Sequence, residues 1–278
     1  MDFVKMHGLG NDFIVVDLLA RGQERPDSEW AALAVRLCDR HFGVGADGVL
    51  LALPSEAADV RMRIFNSDGS EAEMCGNGIR CLARYARDRG LGGDRLRVET
   101  LAGVLELTFA DAGRAVRVDM GPPRLAAREI PVALDGERVI DQPIEVDGYR
   151  WRFTAVSMGN PHAVVFLAPE ELAALPLERI GPQVEHHPLF PARTNFHAVA
   201  VTSPHSATVR VWERGAGPTL ACGTGACAVT VAGVLKGLLE SPVDVTLPGG
   251  TLRIAWEPDG HVYMTGPAEY VFRGTWLA

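Results

Sequence analysis

Lysine is nearly missing from this 278-residue chain: of its 27 basic residues only Lys5 and Lys236 are lysines. A pyridoxal-phosphate enzyme needs a lysine to hold its cofactor as a Schiff base. Lys5 falls in an expected first strand and Lys236 near the exposed end of an expected helix, so neither is a persuasive anchor and no cofactor is expected. There is no basic block to set against the net charge of −8, and a nucleic-acid partner needs a concentrated positive face. No apolar run is long enough to span a bilayer, since "ACAVTVAGVLKGLL" is broken by Lys236. The opening "MDFVKMHGLG" lacks the apolar core of a signal peptide, so the expectation is a cytoplasmic protein with no membrane partner. The five cysteines, Cys38, Cys75, Cys81, Cys222 and Cys227, contain no C-x-x-C. An odd count without a secretion signal argues against a disulfide framework. Cys75 and Cys81 are six apart and Cys222 and Cys227 five, off the spacing of a shared helix face. Zinc held by such local pairs is disfavoured, and no metal is expected.

What is present reads as an ordinary globule, with 47% hydrophobic and 22% charged residues. Its length fits roughly two domains of ~150 residues. The sequence is written twice. A shift of 147 residues lays Cys75 on Cys222, Gly76 on Gly223, Gly78 on Gly225 and Gly90-Leu91 on Gly237-Leu238. "RIFNSDGSEAEMC" overlays "RVWERGAGPTLAC", and "VETLAGVLEL" overlays "VTLPGGTLRI". With a two-residue drift, Gly10-Asn11 meets Gly159-Asn160. Each half predicts an early strand, a Gly-Asn turn, a helix, further strands, a C-G-x-G turn and a long helix, "IRCLARYARDRG" or "ACAVTVAGVLKG". The expected fold class is α+β: two pseudo-symmetric domains from the repeat, each a mostly antiparallel sheet or half-barrel wrapped around a central helix. Residues 1–120 form the first domain and 121–266 the second. The tail, 267–278, has no partner in the repeat and is free to cross back to the first.

Two similar domains packed about a pseudo-two-fold axis would leave a crevice as the default ligand site. Cys75 and Cys222 would face each other there, each at a helix start where free N–H groups favour an anion and lower a thiol pKa. Inverting a carbon beside a carboxylate needs a base on one face and an acid on the other, and a thiolate with a thiol supplies both. A single cysteine at a helix start is most often a small buried filler. Two at repeat-equivalent places inside C-G-x-G point instead to a cofactor-independent racemase or epimerase. Cys38, Cys81 and Cys227 lie inside helical patterns and read as core.

The segments "KMHGLGNDF", "FGVGADG", "FNSDGSEAEMCGNGIRC", "MGNPHAVVF", "RTN" and "WERGAGPTLACGTGACA" resemble the diaminopimelate epimerase family over nearly the whole chain. Proline racemase relatives typically carry a histidine after the first C-G, where this chain has Asn77. The resemblance implies interconversion of LL- and meso-diaminopimelate, a step of lysine and cell-wall biosynthesis, with Cys75 and Cys222 as the proton-transferring thiols. Gly76 and Asn77, with Gly223 and Thr224, match the groups around the reacting carboxylate. Asn11, Asn66, Asn160, Asn195, Glu213 and Arg214 match groups that bind the rest of the substrate. His162 and Glu213 match residues that tune the cysteines, while Asp47 reads as a cap or a brace for its loop. Two positions depart from the pattern. Gly48 stands where the family commonly has a glutamine, and Phe272 where a tyrosine is linked to a homodimer. Other readings are a racemase for a different amino acid, and a thiol redox or metal-binding protein; redox use would call for a resolving cysteine close by.

Overall fold

A computed structural model describes residues 1–20 and 25–277. The chain divides into two compact units, Met1–Asp119 with Thr265–Ala278, and Met120–Met264.

In the first unit the strands are β1 (Asp2–Gly8), β2 (Asn11–Asp17), β3 (Gly48–Leu53), β4 (Val60–Asn66), β5 (Glu71–Ala72), β6 (Arg95–Thr100), β7 (Gly103–Ala110) and β8 (Ala115–Asp119). Helix α1 (Asp27–Cys38) lies between β2 and β3, and α2 (Gly76–Asp88) between β5 and β6. Pairing is antiparallel for β1–β2, β3–β4, β6–β7 and β7–β8, and parallel for β2–β3 and β4–β6. The second unit carries β9 (Val139–Val146), β10 (Tyr149–Ser157), β11 (Pro161–Phe166), α3 (Pro169–Ala174), α4 (Leu177–Glu185), β12 (Asn195–Ser203) and β13 (Ser206–Glu213). It continues through β14 (Gly217–Pro218), α5 (Gly223–Leu235), β15 (Val243–Leu247), β16 (Gly250–Trp256) and the start of β17 (Val262–Pro267). Its two parallel pairs, β11–β12 and β13–β15, fall where the shift of 147–149 residues sends those of the first unit. The repeat in sequence is therefore a repeat in topology.

One strand breaks the correspondence. In the second unit β10 is flanked by β9, which precedes it in the chain. In the first, β1 receives the same kind of neighbour from the far end: β18 (Glu269–Thr275) pairs antiparallel with it, Asp2 opposite Thr275.

Each unit layers a sheet between helices. Trp30, Ala34 and Leu37 of α1 pack on Phe3, Ile14, Val16, Val49, Leu51 and Phe65. The other sheet face closes on α2, which touches β1, β2, β3, β4, β6 and β8, so the sheet curls around it. Burial on both faces explains the continuous apolar run of β3, "GVLLAL". Ten of the 13 residues of α5 are buried, and its Gly, Ala, Cys, Thr and Val side chains let the surrounding strands approach. A helix without a polar face must be enclosed in this way.

The apolar pattern predicts these helices from Ile79 and Ala226, but both begin three residues earlier, at Gly76 and Gly223. The inner glycines belong to the first helical turn because they make room. A Cβ on Gly78 would meet Leu50 Cδ2 at 3.1 Å, and one on Gly225 would meet His197 Cε1 at 2.2 Å. Gly90 and Gly237, with φ of 82° and 69°, do act as helix stops.

Leu82 on α2 is fully buried, whereas Phe42 is 91% exposed. Urea denaturation is expected to show a loss of about 2–5 kcal/mol for Leu82→Ala. Phe42→Ala should stay within about 0.5 kcal/mol. Equal effects would contradict the enclosed-helix packing.

Candidate active site

Cys75 is the N-cap of α2, with φ −141° and ψ 120°. Its sulfur accepts from the Gly78 N–H at 3.4 Å, using one of the donors a helix start leaves free. On the other side Sγ approaches Asn11 Oδ1 at 3.9 Å. That same oxygen accepts from Asn77 Nδ2 at 3.0 Å, while Asn11 Nδ2 donates to Asp47 Oδ2 at 2.7 Å. Asp47 thus fixes which end of the Asn11 amide meets the cysteine. Asp47 is itself braced by Arg40 Nη2 at 2.7 Å, and Arg40 also bonds Asp12, whose second oxygen pairs with buried Lys5 at 2.6 Å. Burial alone would raise the Asp12 carboxyl, but Arg40 and Lys5 outweigh it and hold the pKa at about 2. Fully buried Arg80 donates to Asn77 Oδ1 at 2.9 Å, Gly76 O at 3.0 Å and Pro267 O at 3.2 Å, locking the helix start.

In the second unit Cys222 is the N-cap of α5, with φ −123° and ψ 107°, and it is buried. Its surroundings differ from those of Cys75. Burial, then the neighbouring Glu213, push the thiol well above its ordinary range. The Thr224 hydroxyl, 3.6 Å from Sγ, and the Gly225 N–H pull the other way without offsetting them. Burial also raises the Glu213 carboxyl, against hydrogen bonds from Thr219 and Cys222. Under the 147-residue shift Glu213 lies on Asn66, so only the second repeat puts a carboxyl at this place. His162 Nε2 is 2.8 Å from Asn160 Oδ1, and His162 Nδ1 is 2.9 Å from His197 Nε2. Burial holds both rings neutral, lowering His162 far below its usual value and His197 to about 3.

The remaining expected site residues are engaged within their own units. Asn66 Nδ2 donates to Ser70 Oγ at 3.0 Å and closes a turn. Asn195 accepts from the Arg214 backbone N–H at 2.9 Å and donates to Pro161 O at 2.8 Å, so both ends of its amide serve the backbone. Arg214 is exposed, with one Nη on Ala192 O at 2.9 Å. Gly48 pairs with Phe13 and Asn66, and a Cβ there would meet Phe65 O at 2.8 Å, so a longer side chain would require the β4 backbone to shift. Phe272 is 47% exposed on β18 and meets Phe3 edge-on at 5.9 Å. Sequence reasoning missed Lys5, Arg40, Arg80 and His197 as parts of these arrangements. His197 interrupts an apolar strand, the one local sign of a role.

The two helix starts carry the same thiol cap in different electrostatic settings. The sequence pattern of the diaminopimelate epimerase family matches residues 3–126 and 154–271. Diaminopimelate epimerase of Desulfitobacterium hafniense is 56% identical over 282 aligned residues, covering 100% of this chain and 98% of that one. The enzyme of that name from Moorella thermoacetica is 56% identical over 279, covering 99% and 98%. Among solved structures, a Bacillus anthracis phenazine biosynthesis protein of the PhzF family superposes with a TM-score of 0.71 at 19% identity, covering 100% and 99% of the chains. A hydroxyproline epimerase from Agrobacterium vitis, with bound trans-4-hydroxy-L-proline, gives 0.66 at 16% identity, covering 99% and 90%. The two structural likenesses carry the fold alone. With its repeat, its paired thiol caps and these full-length relatives, the chain belongs to the diaminopimelate epimerase family and is an isomerase.

Proposed function

We propose that this enzyme interconverts LL- and meso-diaminopimelate without a cofactor, Cys75 and Cys222 each serving one face of the α-carbon. The supporting observation is the repeated cap: both units place a cysteine at the N-terminus of a buried helix, where the first-turn backbone N–H groups have no acceptor within the helix itself. One sulfur, as thiolate, takes the α-proton, and the electron pair left behind delocalises into the carboxylate. The other sulfur, as thiol, then delivers its proton to the opposite face and becomes the thiolate. Charge growing on the carboxylate is met by N–H groups around Gly76, Asn77, Gly223 and Thr224. Reversal exchanges the two roles, so both thiols must be able to gain and lose a proton.

Substrate recognition in this reading falls to Asn11, Asn66, Asn160, Asn195, Glu213 and Arg214. Arg214 suits the distal carboxylate, because a guanidinium binds it with two parallel hydrogen bonds. Glu213 tunes Cys222 directly, and His162 does so as a neutral ring. The reaction belongs to lysine and peptidoglycan precursor synthesis and places the enzyme in the cytoplasm. A homodimer would use the β18 surface around Phe272.

Two measurements check these roles. Cys75→Ala and Cys222→Ala should each lower kcat for LL-to-meso conversion by about 10²–10⁴-fold, followed by chiral chromatography. Rates near wild type in either variant would overturn the two-thiol reading. Glu213→Gln removes the neighbouring negative charge that raises the Cys222 thiol. In a Cys75→Ala background, alkylation of Cys222 should then rise at lower pH than with Glu213 present. An unmoved pH midpoint would contradict the tuning role.

A further inference from the structure

Cys222, His162 and His197 come from three elements that no local spacing relates: the start of α5, β11 and β12. Each offers one ligand atom, and the three atoms lie within 4.8 Å of one another. All three residues are buried, and Cys222 keeps a 4% exposed edge. Two imidazole nitrogens and one sulfur form a borderline-soft donor set, suited to Zn²⁺ and unsuited to Mg²⁺ or Ca²⁺.

The hydrogen bonds already orient these rings. Asn160 Oδ1 can only accept, so the His162 proton sits on Nε2 and Nδ1 presents its lone pair. A metal-binding histidine is commonly fixed in this way, its outer N–H on a carbonyl and its inner nitrogen free for the ion. His162 Nδ1 then accepts from His197 Nε2. That leaves His197 Nδ1 buried with no hydrogen-bond partner. With no hydrogen bond to break, that nitrogen can take up a proton and so release the facing one.

We propose that Cys222, His162 and His197 form a capture site for Zn²⁺, with the fourth coordination position open. Binding releases the Cys222 thiol proton to solvent as the Zn–S bond forms. The proton shared by the two rings moves to His197 Nδ1, which frees both facing nitrogens for the metal. Tetrahedral Zn²⁺ sets its ligand atoms roughly 3.3–3.6 Å apart, given Zn–N near ~2.0 Å and Zn–S near ~2.3 Å. The imidazole pair, at 2.9 Å, has to open by less than about half an ångström. The sulfur has to close by about 1 Å from the outer limit of 4.8 Å. Captured metal takes the thiol out of proton transfer, so Zn²⁺ silences the enzyme reversibly. That consequence rests on the two-thiol reading, whereas the binding does not.

Co²⁺ in place of Zn²⁺ gives a direct spectroscopic readout on the reduced, chelator-treated full chain. One equivalent should bind with a thiolate-to-cobalt charge-transfer band that Zn²⁺ displaces. Cys75→Ala should keep the band and Cys222→Ala should abolish it. His197→Asn and His162→Asn should each weaken binding at least tenfold, the second variant guarding against misfolding of the first. The proposal is overturned if wild type shows no band, if the band follows Cys75, or if both histidine variants bind as tightly as wild type. A band with the expected variants but full epimerase activity of the loaded protein would support the site and contradict the two-thiol reading instead.

Discussion

The first turn of a helix sunk in a protein core carries N–H groups that no other residue of the helix can accept. Here that constraint arises twice, at α2 and at α5, and each time a cysteine stands at the cap. The glycines that follow are needed because other side chains lie against the turn: Leu50 beside Gly78, His197 beside Gly225. The enclosing sheet, the small residues of α5 and the buried Arg80 at α2 all serve to hold a helix start in place. A thiol there is small enough for the space and polar enough to answer a backbone donor, as Cys75 answers Gly78 at 3.4 Å.

From this common frame the two repeats have diverged. Around Cys75 the neighbours are amides, with Asn11 and Asn77 oriented by a chain of charges from Asp47 through Arg40 and Asp12 to Lys5. Around Cys222 they are a carboxyl and two neutral imidazoles, and both burial and Glu213 favour the protonated sulfur. The same residue at the same place in the repeat thus has amide neighbours in one unit and a carboxyl with neutral imidazoles in the other. In the proposed mechanism the two sulfurs exchange protonation states at each turnover, and unlike surroundings suit that exchange.

Much of this was legible in the sequence because repetition amplifies weak signals. Cys75 alone said little; its coincidence with Cys222, Gly76 with Gly223 and Gly78 with Gly225 located both helix starts. The tail was harder to place, since β18 has no counterpart under the shift and its partner β1 lies at the other end of the chain. The charge network was invisible for a similar reason. Lys5 is on β1, Asp12 on β2, and Arg40 and Asp47 in the loop before β3, and only the fold brings each within 3 Å of the next partner in the network. His197 belongs to this class too, as one polar residue in a buried strand, given meaning by His162 and Cys222 from elsewhere. Gly48 stands in the sequence where the family pattern commonly has a glutamine. In the structure a Cβ there would lie 2.8 Å from Phe65 O on β4, so a side chain would require that backbone to shift.

Two sulfurs, one for each face, is the central claim, and the fate of the substrate's own α-proton tests it most directly. In heavy water, over the first turnover of LL-diaminopimelate, the account expects meso product carrying deuterium at the inverted carbon and recovered substrate still carrying protium. The proton delivered to product comes from a thiol that has exchanged with solvent, and the proton removed stays on the opposite side. Product that retains the substrate's original α-proton would show a single base serving both faces, and would contradict it.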